Sequence, residues 1–170
     1  MSERILIIDD KKSLVEILET SLSQEGYDIT SFTSGFEGMK AAHEGRFDLV
    51  LCDVRLPDLD GMEILKEIRA KAPDTSVVMI TAYGSIENAI ECMKLGADDY
   101  VTKPFNLEEI KAIVAKGLEK VRLRRENLAL KAEVAGKYEF ENIIGKSKPM
   151  LDVFDKIKRL ARSDVNVLIT

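Results

Sequence analysis

The sequence predicts an α/β fold: a doubly wound, five-stranded parallel sheet with helices on both faces. Three observations predict it. Short runs of consecutive apolar residues alternate with amphipathic stretches over the first two thirds of the chain. The runs are apolar throughout rather than at every second residue, as in strands covered on both faces. Most of the amphipathic stretches between them close on Gly or Pro. Strands alternating with helices imply a parallel sheet, and right-handed crossovers restrict it to the doubly wound form.

In chain order, Arg4–Ile8 reads as a buried strand, with four consecutive branched side chains from Ile5 to Ile8. Leu14, Val15, Leu18 and Leu22 recur at helical spacing, and Gly26 closes that helix. Tyr27–Phe32 reads as a weaker strand and Ser34–His43 as a short helix stopped by Gly45. Phe47–Cys52 is the next apolar strand. Asp58-Leu59-Asp60-Gly61 is turn chemistry, followed by a helix with Ile64, Leu65 and Ile68 on one face and Pro73-Asp74 at its end. Val77–Ile80 is a fourth strand. Ser85 is placed to cap a helix that reaches Leu95, with Gly96 behind it. Tyr100-Val101 is the last strand, and a long helix begins at Leu107.

The chain has 170 residues, 45% hydrophobic and 32% charged, which suits one soluble domain with an extension. The polar Met1-Ser2-Glu3-Arg4 start does not resemble a signal peptide, and no apolar stretch is long enough for a membrane span. Cys52 and Cys92 lie within apolar segments and read as reduced, buried thiols of a cytoplasmic protein. His43, the single histidine, reads as a surface or packing residue. Residues 1–116 hold 13 Lys/Arg against 22 Asp/Glu, and residues 117–170 hold 12 against 8. That change of sign suggests a boundary near residue 117 and argues against nucleic-acid binding by the acidic part.

Ligand sites of doubly wound folds lie beyond the carboxyl ends of the strands. There the sequence places Asp9 and Asp10, Asp53, Thr81, and Lys103 before Pro104. Three carboxylates brought together repel one another unless a cation joins them. Mg²⁺ suits such a site, because it takes oxygen ligands and bridges carboxylate to phosphate. A carboxylate can also act as the nucleophile that forms an aspartyl phosphate. Lys103 and Thr81 would then neutralise and hydrogen-bond the phosphoryl oxygens.

Residues 1–117 resemble the receiver domain of two-component response regulators, which has a flavodoxin-like fold. The resemblance rests on Asp9-Asp10, on Asp53 followed by Leu56-Pro57-Asp58-Leu59-Asp60-Gly61, on Thr81-Ala82, and on Tyr100-Val101-Thr102-Lys103-Pro104. It implies phosphorylation of Asp53 by a sensor histidine kinase. It implies Mg²⁺ held by Asp10, Asp53 and the Arg55 backbone carbonyl, with Asp9 acting through water. It also implies a switch pair, Thr81 and Tyr100, and a cis peptide between Lys103 and Pro104. Arg55 and Tyr83, two residues beyond Asp53 and Thr81, are expected to shield the phosphoryl group from water.

From Leu107 the sequence shows apolar residues every seven positions: Leu107, Val114, Val121, Leu128 and Ala135, with Leu118 and Ala132 between them. The expectation is a coiled-coil linker over 118–137, ended by Gly136, and a homodimer whose seam is Val114, Leu118, Val121 and Leu128. Arg125 interrupts the seam, and Arg122 and Arg124 read as a solvated face. Gly145-Lys146-Ser147 mimics the tail of a P-loop, but Phe140 stands where the first Gly is required, so it is rejected as a nucleotide site.

Residues 138–170 resemble the beginning of the AAA+ domain of sigma-54-dependent transcription activators of the nitrogen-regulator class. The matching pieces are Ile143 to Ser147, the helix from Met150, and the strand Val167-Leu168-Ile169-Thr170. The resemblance implies that an intact parent engages sigma-54 RNA polymerase and DNA, and that the ATPase and DNA-binding parts are not in this segment. Two other readings stand beside it. A stand-alone receiver would use its C-terminal helix to bind a partner. A flavodoxin-like carrier would bind FMN, but the carboxylate triad would repel a flavin phosphate.

Overall fold

Five strands, β1 (Arg4–Ile8), β2 (Asp28–Phe32), β3 (Leu49–Asp53), β4 (Ser76–Thr81) and β5 (Asp99–Thr102), pair in parallel in the order β2-β1-β3-β4-β5. They belong to a computed structural model that describes residues 2–82, 86–138 and 147–160. The helices are α1 (Lys12–Gln24), α2 (Gly35–Glu44), α3 (Gly61–Lys71), α4 (Ile86–Lys94), α5 (Leu107–Tyr138) and α6 (Lys148–Leu160).

Neighbouring residues along a strand face opposite sides of the sheet, so the apolar runs feed two cores at once. Ile5, Ile7, Leu49, Leu51, Val78 and Ile80 pack with α1 through Val15, Leu18 and Leu22, and with α5 through Ile110, Val114 and Leu118. Leu6, Ile8, Val50, Cys52, Val77 and Met79 pack with α3 through Ile64, Leu65 and Ile68, with Cys92 of α4, and with the partly buried Met39 of α2. The strand order reverses beside β1, which lies between β2 and β3. The register pairs Ile8 with Cys52 and Asp53 with Ile80. The residues after Ile8 and after Cys52 therefore emerge side by side at the carboxyl edge.

The opposite edge is tied by one arginine. Arg69, in the last turn of α3, donates Nε to the Gly96 carbonyl at 2.6 Å and Nη2 to Asp98 Oδ2 at 2.6 Å. The other oxygen of Asp98 pairs with Lys120 of α5 at 2.5 Å, and Asp98 also accepts the Val77 amide at 3.0 Å. Together with the Val77 amide, these partners hold the Asp98 carboxyl below its ordinary range against the opposing effect of burial.

Residues Met1–Arg125 form one compact unit and Glu126–Thr170 a second. The first unit extends beyond the boundary expected at 117 because α5 still packs there: Leu118 is 5% exposed and Val121 2%. This corrects the expected dimer seam. Val114 and Leu118 belong to the chain's own core, Val121 is buried as well, and Leu128 alone of the four is exposed. A seven-residue repeat fits a helix laid on its own sheet as well as a coiled coil. Arg125, the polar break in the repeat, pairs with Asp48 at 2.6 Å. The helix also continues past Gly136 to Tyr138, since one internal glycine costs a helix only about 1 kcal/mol. In the second unit α6 leaves Leu151, Val153 and Ile157 exposed, with Met150 and Phe154 half-buried. The strand expected at 166–170, Gly145-Lys146, Tyr83 and the Ser85 cap lie outside the described residues. Among the described residues no helix is long and apolar enough to cross a membrane.

Gly117 lets α5 approach the sheet closely. A Cβ there would lie 2.8 Å from Leu49 Cδ1 and 2.8 Å from Ser76 Oγ, a buried hydroxyl with no hydrogen-bond partner among the described residues. Alanine would gain about 1 kcal/mol in helix propensity and lose about 1–3 kcal/mol to overpacking. Gly117→Ala should therefore destabilise the protein by about 1 kcal/mol in urea unfolding. Adding Ser76→Ala removes one of the two clashing atoms and should recover part of that loss.

Candidate functional site

β1 and β3 run out at the switch point with acidic residues on their ends. Asp9 is 1% exposed and Asp53 5% exposed, whereas Asp10 faces solvent. The three offer carboxylate oxygens that lie within 4.8 Å of one another. Asp9 is fixed from two directions: its amide donates to the Phe32 carbonyl at 3.2 Å and its Oδ1 accepts the Lys11 amide at 3.0 Å. Asp53 Oδ1 accepts the Arg55 amide at 2.9 Å.

Lys103 closes the cleft from the end of β5. Its Nζ donates to Asp9 Oδ2 at 2.5 Å and also to Asp53 Oδ2, so one ammonium is shared by two buried carboxylates. Burial pushes the Asp9 carboxyl above its ordinary value, and the hydrogen bond from Lys103 offsets only part of the rise. Burial pulls Lys103 down, but the hydrogen bonds to Asp53 and Asp9 outweigh it and leave the ammonium above its ordinary value. Lys103 thus stays charged at neutral pH. Its contribution is complete below the ordinary lysine value and is lost only as the pH rises through the higher folded value. The Lys103–Pro104 peptide is cis, and the Lys103 amide donates to the Thr81 carbonyl at 2.6 Å.

Thr81 is fully buried at the end of β4 and its side chain is hydrogen-bonded to the Tyr100 hydroxyl. Burial raises the Tyr100 phenol above its ordinary value. Tyr100 packs half-buried against the α3–α4 core. The structure thus brings together Asp9, Asp10, Asp53 and Lys103 at one edge, with Thr81 and Tyr100 hydrogen-bonded on the neighbouring strands. Arg55 lies on the exposed loop after β3. Three carboxylates against one ammonium leave an excess of negative charge on hard oxygen donors, which fits Mg²⁺.

Two residues of this region read in the sequence as turn chemistry within the receiver-like motif, with no role in the cleft. Gly61 sits so close to β3 that a Cβ would stand 2.0 Å from the Asp53 carbonyl oxygen. Asp58 reaches across to α2, accepting from Ser34 Oγ at 2.7 Å, the Gly35 amide at 2.9 Å and the Phe36 amide at 3.2 Å. Chiefly through Ser34 and then Gly35, these donors depress its carboxyl to about 2. The stabilisation is present above the ordinary carboxylate value and fades as the pH falls toward 2. The sequence signal was Ser34, whose own Oγ accepts the Glu37 amide as the α2 cap.

Fold and cleft together define the class: a doubly wound α/β domain of the receiver type. The response regulator receiver domain profile matches residues 5–115, and the chain belongs to that family. It is 37% identical over 166 residues to the transcriptional regulatory protein ZraR of Escherichia coli K12, covering 97% of this chain and 36% of ZraR. The chain thus spans about a third of the length of the curated relatives it matches. Among solved structures, a CheY-like receiver domain from Methanospirillum hungatei matches with TM-score 0.71 and 30% identity, covering 73% of this chain and 99% of that one. The beryllofluoride-activated receiver domain dimer of NtrC4 matches with TM-score 0.66 and 31% identity, covering 69% and 98%.

Removing Lys103 would leave Asp9 and Asp53 buried without their shared cation. Breaking a buried pair in this way costs about 3–5 kcal/mol. Lys103→Met in EDTA should lose about 3 kcal/mol at neutral pH in urea unfolding. The loss should shrink as the pH falls through the raised Asp9 value, because a protonated Asp9 no longer needs the ammonium.

Proposed function

We propose that this receiver accepts a phosphoryl group on Asp53 from a sensor histidine kinase, and that the change controls a sigma-54-dependent transcription activator. The observation that carries the reading is the sharing of Lys103 between Asp9 and Asp53, with Asp10 beside them. An Asp53 carboxylate oxygen attacks the phosphorus of the donor phosphohistidine. The P–O bond forms as the P–N bond breaks, and the electron pair stays on the imidazole nitrogen. The Lys103 ammonium moves with the developing charge from the carboxylate toward the phosphoryl oxygens, and the Thr81 hydroxyl turns from Tyr100 to donate to one of them. Asp10, Asp53 and the Arg55 carbonyl would hold Mg²⁺, with Asp9 acting through water. When bound, Mg²⁺ would supply positive charge that offsets the charge developing on the phosphoryl oxygens. Loss of the Thr81 partner lets Tyr100 repack, which alters the surface formed by α4 and β5.

Around this receiver we place a cytoplasmic regulator: a receiver over 1–117 whose packed last helix carries the compact unit on to Arg125, a helical linker that ends at 137, and the start of an AAA+ domain over 138–170. ZraR, a transcriptional regulatory protein that matches along nearly the whole chain, supports that organisation. Incubation with acetyl phosphate and Mg²⁺ should label the wild type and leave Asp53→Asn unlabelled on intact-mass analysis. Undiminished labelling of Asp53→Asn would falsify the assignment.

A homodimer belongs to the same reading, and the NtrC4 receiver, described as a dimer when activated, supports it. Leu128 is exposed on the part of α5 beyond Arg125, as is Leu130. Sedimentation of Leu128→Glu should shift toward monomer relative to the parent, with receiver stability unchanged. Val121→Glu should instead unfold the receiver, since Val121 is buried within it. A Leu128→Glu protein as dimeric as its parent would remove Leu128 from the interface.

A further inference from the structure

We propose that Asp58 is a positioning residue of the phosphorylation site, fastening the loop between β3 and α3 to the first turn of α2 so that Arg55 stays fixed beside Asp53. The proposal rests on the phosphoryl-acceptor reading of Asp53.

The loop between β3 and α3 has a well-tied base. The Gly61 amide donates to the Val54 carbonyl at 2.9 Å, Arg55 and Asp60 form an antiparallel bridge, and Asp60 caps α3 by accepting the Met62 amide at 2.8 Å. The tip, residues 56–59, is held differently. Asp58 sends both carboxylate oxygens to α2: Oδ2 takes the Ser34 hydroxyl and the Phe36 amide, and Oδ1 takes the Gly35 amide. The start of a helix favours such an anion, since its first amides have no partner within the helix. Close packing reinforces the joint. A Cβ on Gly35 would stand 3.0 Å from Leu56 Cδ1 and 3.0 Å from Leu59 Cβ.

Arg55 lies between this clamp and the acceptor. Its amide donates to Asp53 Oδ1 at 2.9 Å, and its carbonyl is the backbone ligand expected for Mg²⁺. The direction of both groups follows from where the loop is held. With Asp58 removed, the tip loses three hydrogen bonds to the start of α2, and the path that ties the Arg55 peptide to that helix is weakened. Groups that orient metal ligands without touching the metal typically contribute 10- to 100-fold to affinity.

The test uses the whole 170-residue chain and four proteins: wild type, Asp58→Ala, Asp58→Asn and Ser34→Ala. Mg²⁺ alone is titrated by amide chemical shifts, acetyl phosphate labelling is timed at low and saturating Mg²⁺, and thermal midpoints are recorded. Asp58→Ala should weaken Mg²⁺ binding roughly 10-fold. Its labelling should slow at low Mg²⁺ and recover at saturation. Asp58→Asn should recover part of the loss, because its carbonyl oxygen can still accept the Gly35 amide, and Ser34→Ala should fall between wild type and Asp58→Ala. If Asp58→Ala does not fold, the other two variants decide by the same ordering. Lower midpoints with wild-type Mg²⁺ affinity and labelling would reduce Asp58 to a cap for α2 and overturn the proposal alone. A wild type that takes up neither Mg²⁺ nor phosphoryl group would overturn the acceptor reading itself.

Discussion

One ammonium between two buried carboxylates is the constraint on which the carboxyl edge depends. Asp9 and Asp53 emerge side by side because β1 and β3 are neighbours in register. Two anions 5% exposed or less would repel one another there if nothing lay between them. Lys103 resolves the conflict, but only because β5 ends at the same level, with the Lys103 amide on the Thr81 carbonyl. The same arrangement leaves the cleft short of positive charge once Asp10 is counted. A cleft in that condition offers hard oxygen donors to a cation.

Support for this edge comes from residues that carry no charge to the chemistry. Gly61 gives the Asp53 carbonyl room that any Cβ would fill. Ser34 accepts one amide of α2 while donating to Asp58, so a single hydroxyl serves a helix and a loop at once. These contacts tie the strand ends to the start of α2, which packs on the same side of the sheet as α3.

Much of this was readable from the residues. Continuous apolar runs mark β1, β3 and β4, and the polar residues at or just after their ends, together with Lys103 after β5, are the ones the structure brings to one edge of the sheet. Period and composition do not say what a helix face packs against. Val114, Leu118 and Val121 read equally as a seam between chains and as core, and the sheet claims them. Propensity alone disfavours Gly117 inside a helix, and only its packing partners, Leu49 and Ser76, show why a residue without a Cβ stands there. Asp58 looked like one more turn former, since the partner that gives it a role lies 24 residues earlier in the chain.

The edge away from the cleft has a mechanical meaning. Arg69 grips the carbonyl of Gly96, just after α4, and the same guanidinium grips Asp98, which Lys120 holds from α5. Three helices thus meet at one fixed point at the trailing end of α4. A rod fixed at one end and pushed at the other swings about the fixed end. A push on the leading end of α4 would therefore tilt the helix about a fulcrum at Gly96. The residues that travel farthest are those at the free end of the lever, and those beside the fulcrum stay in place.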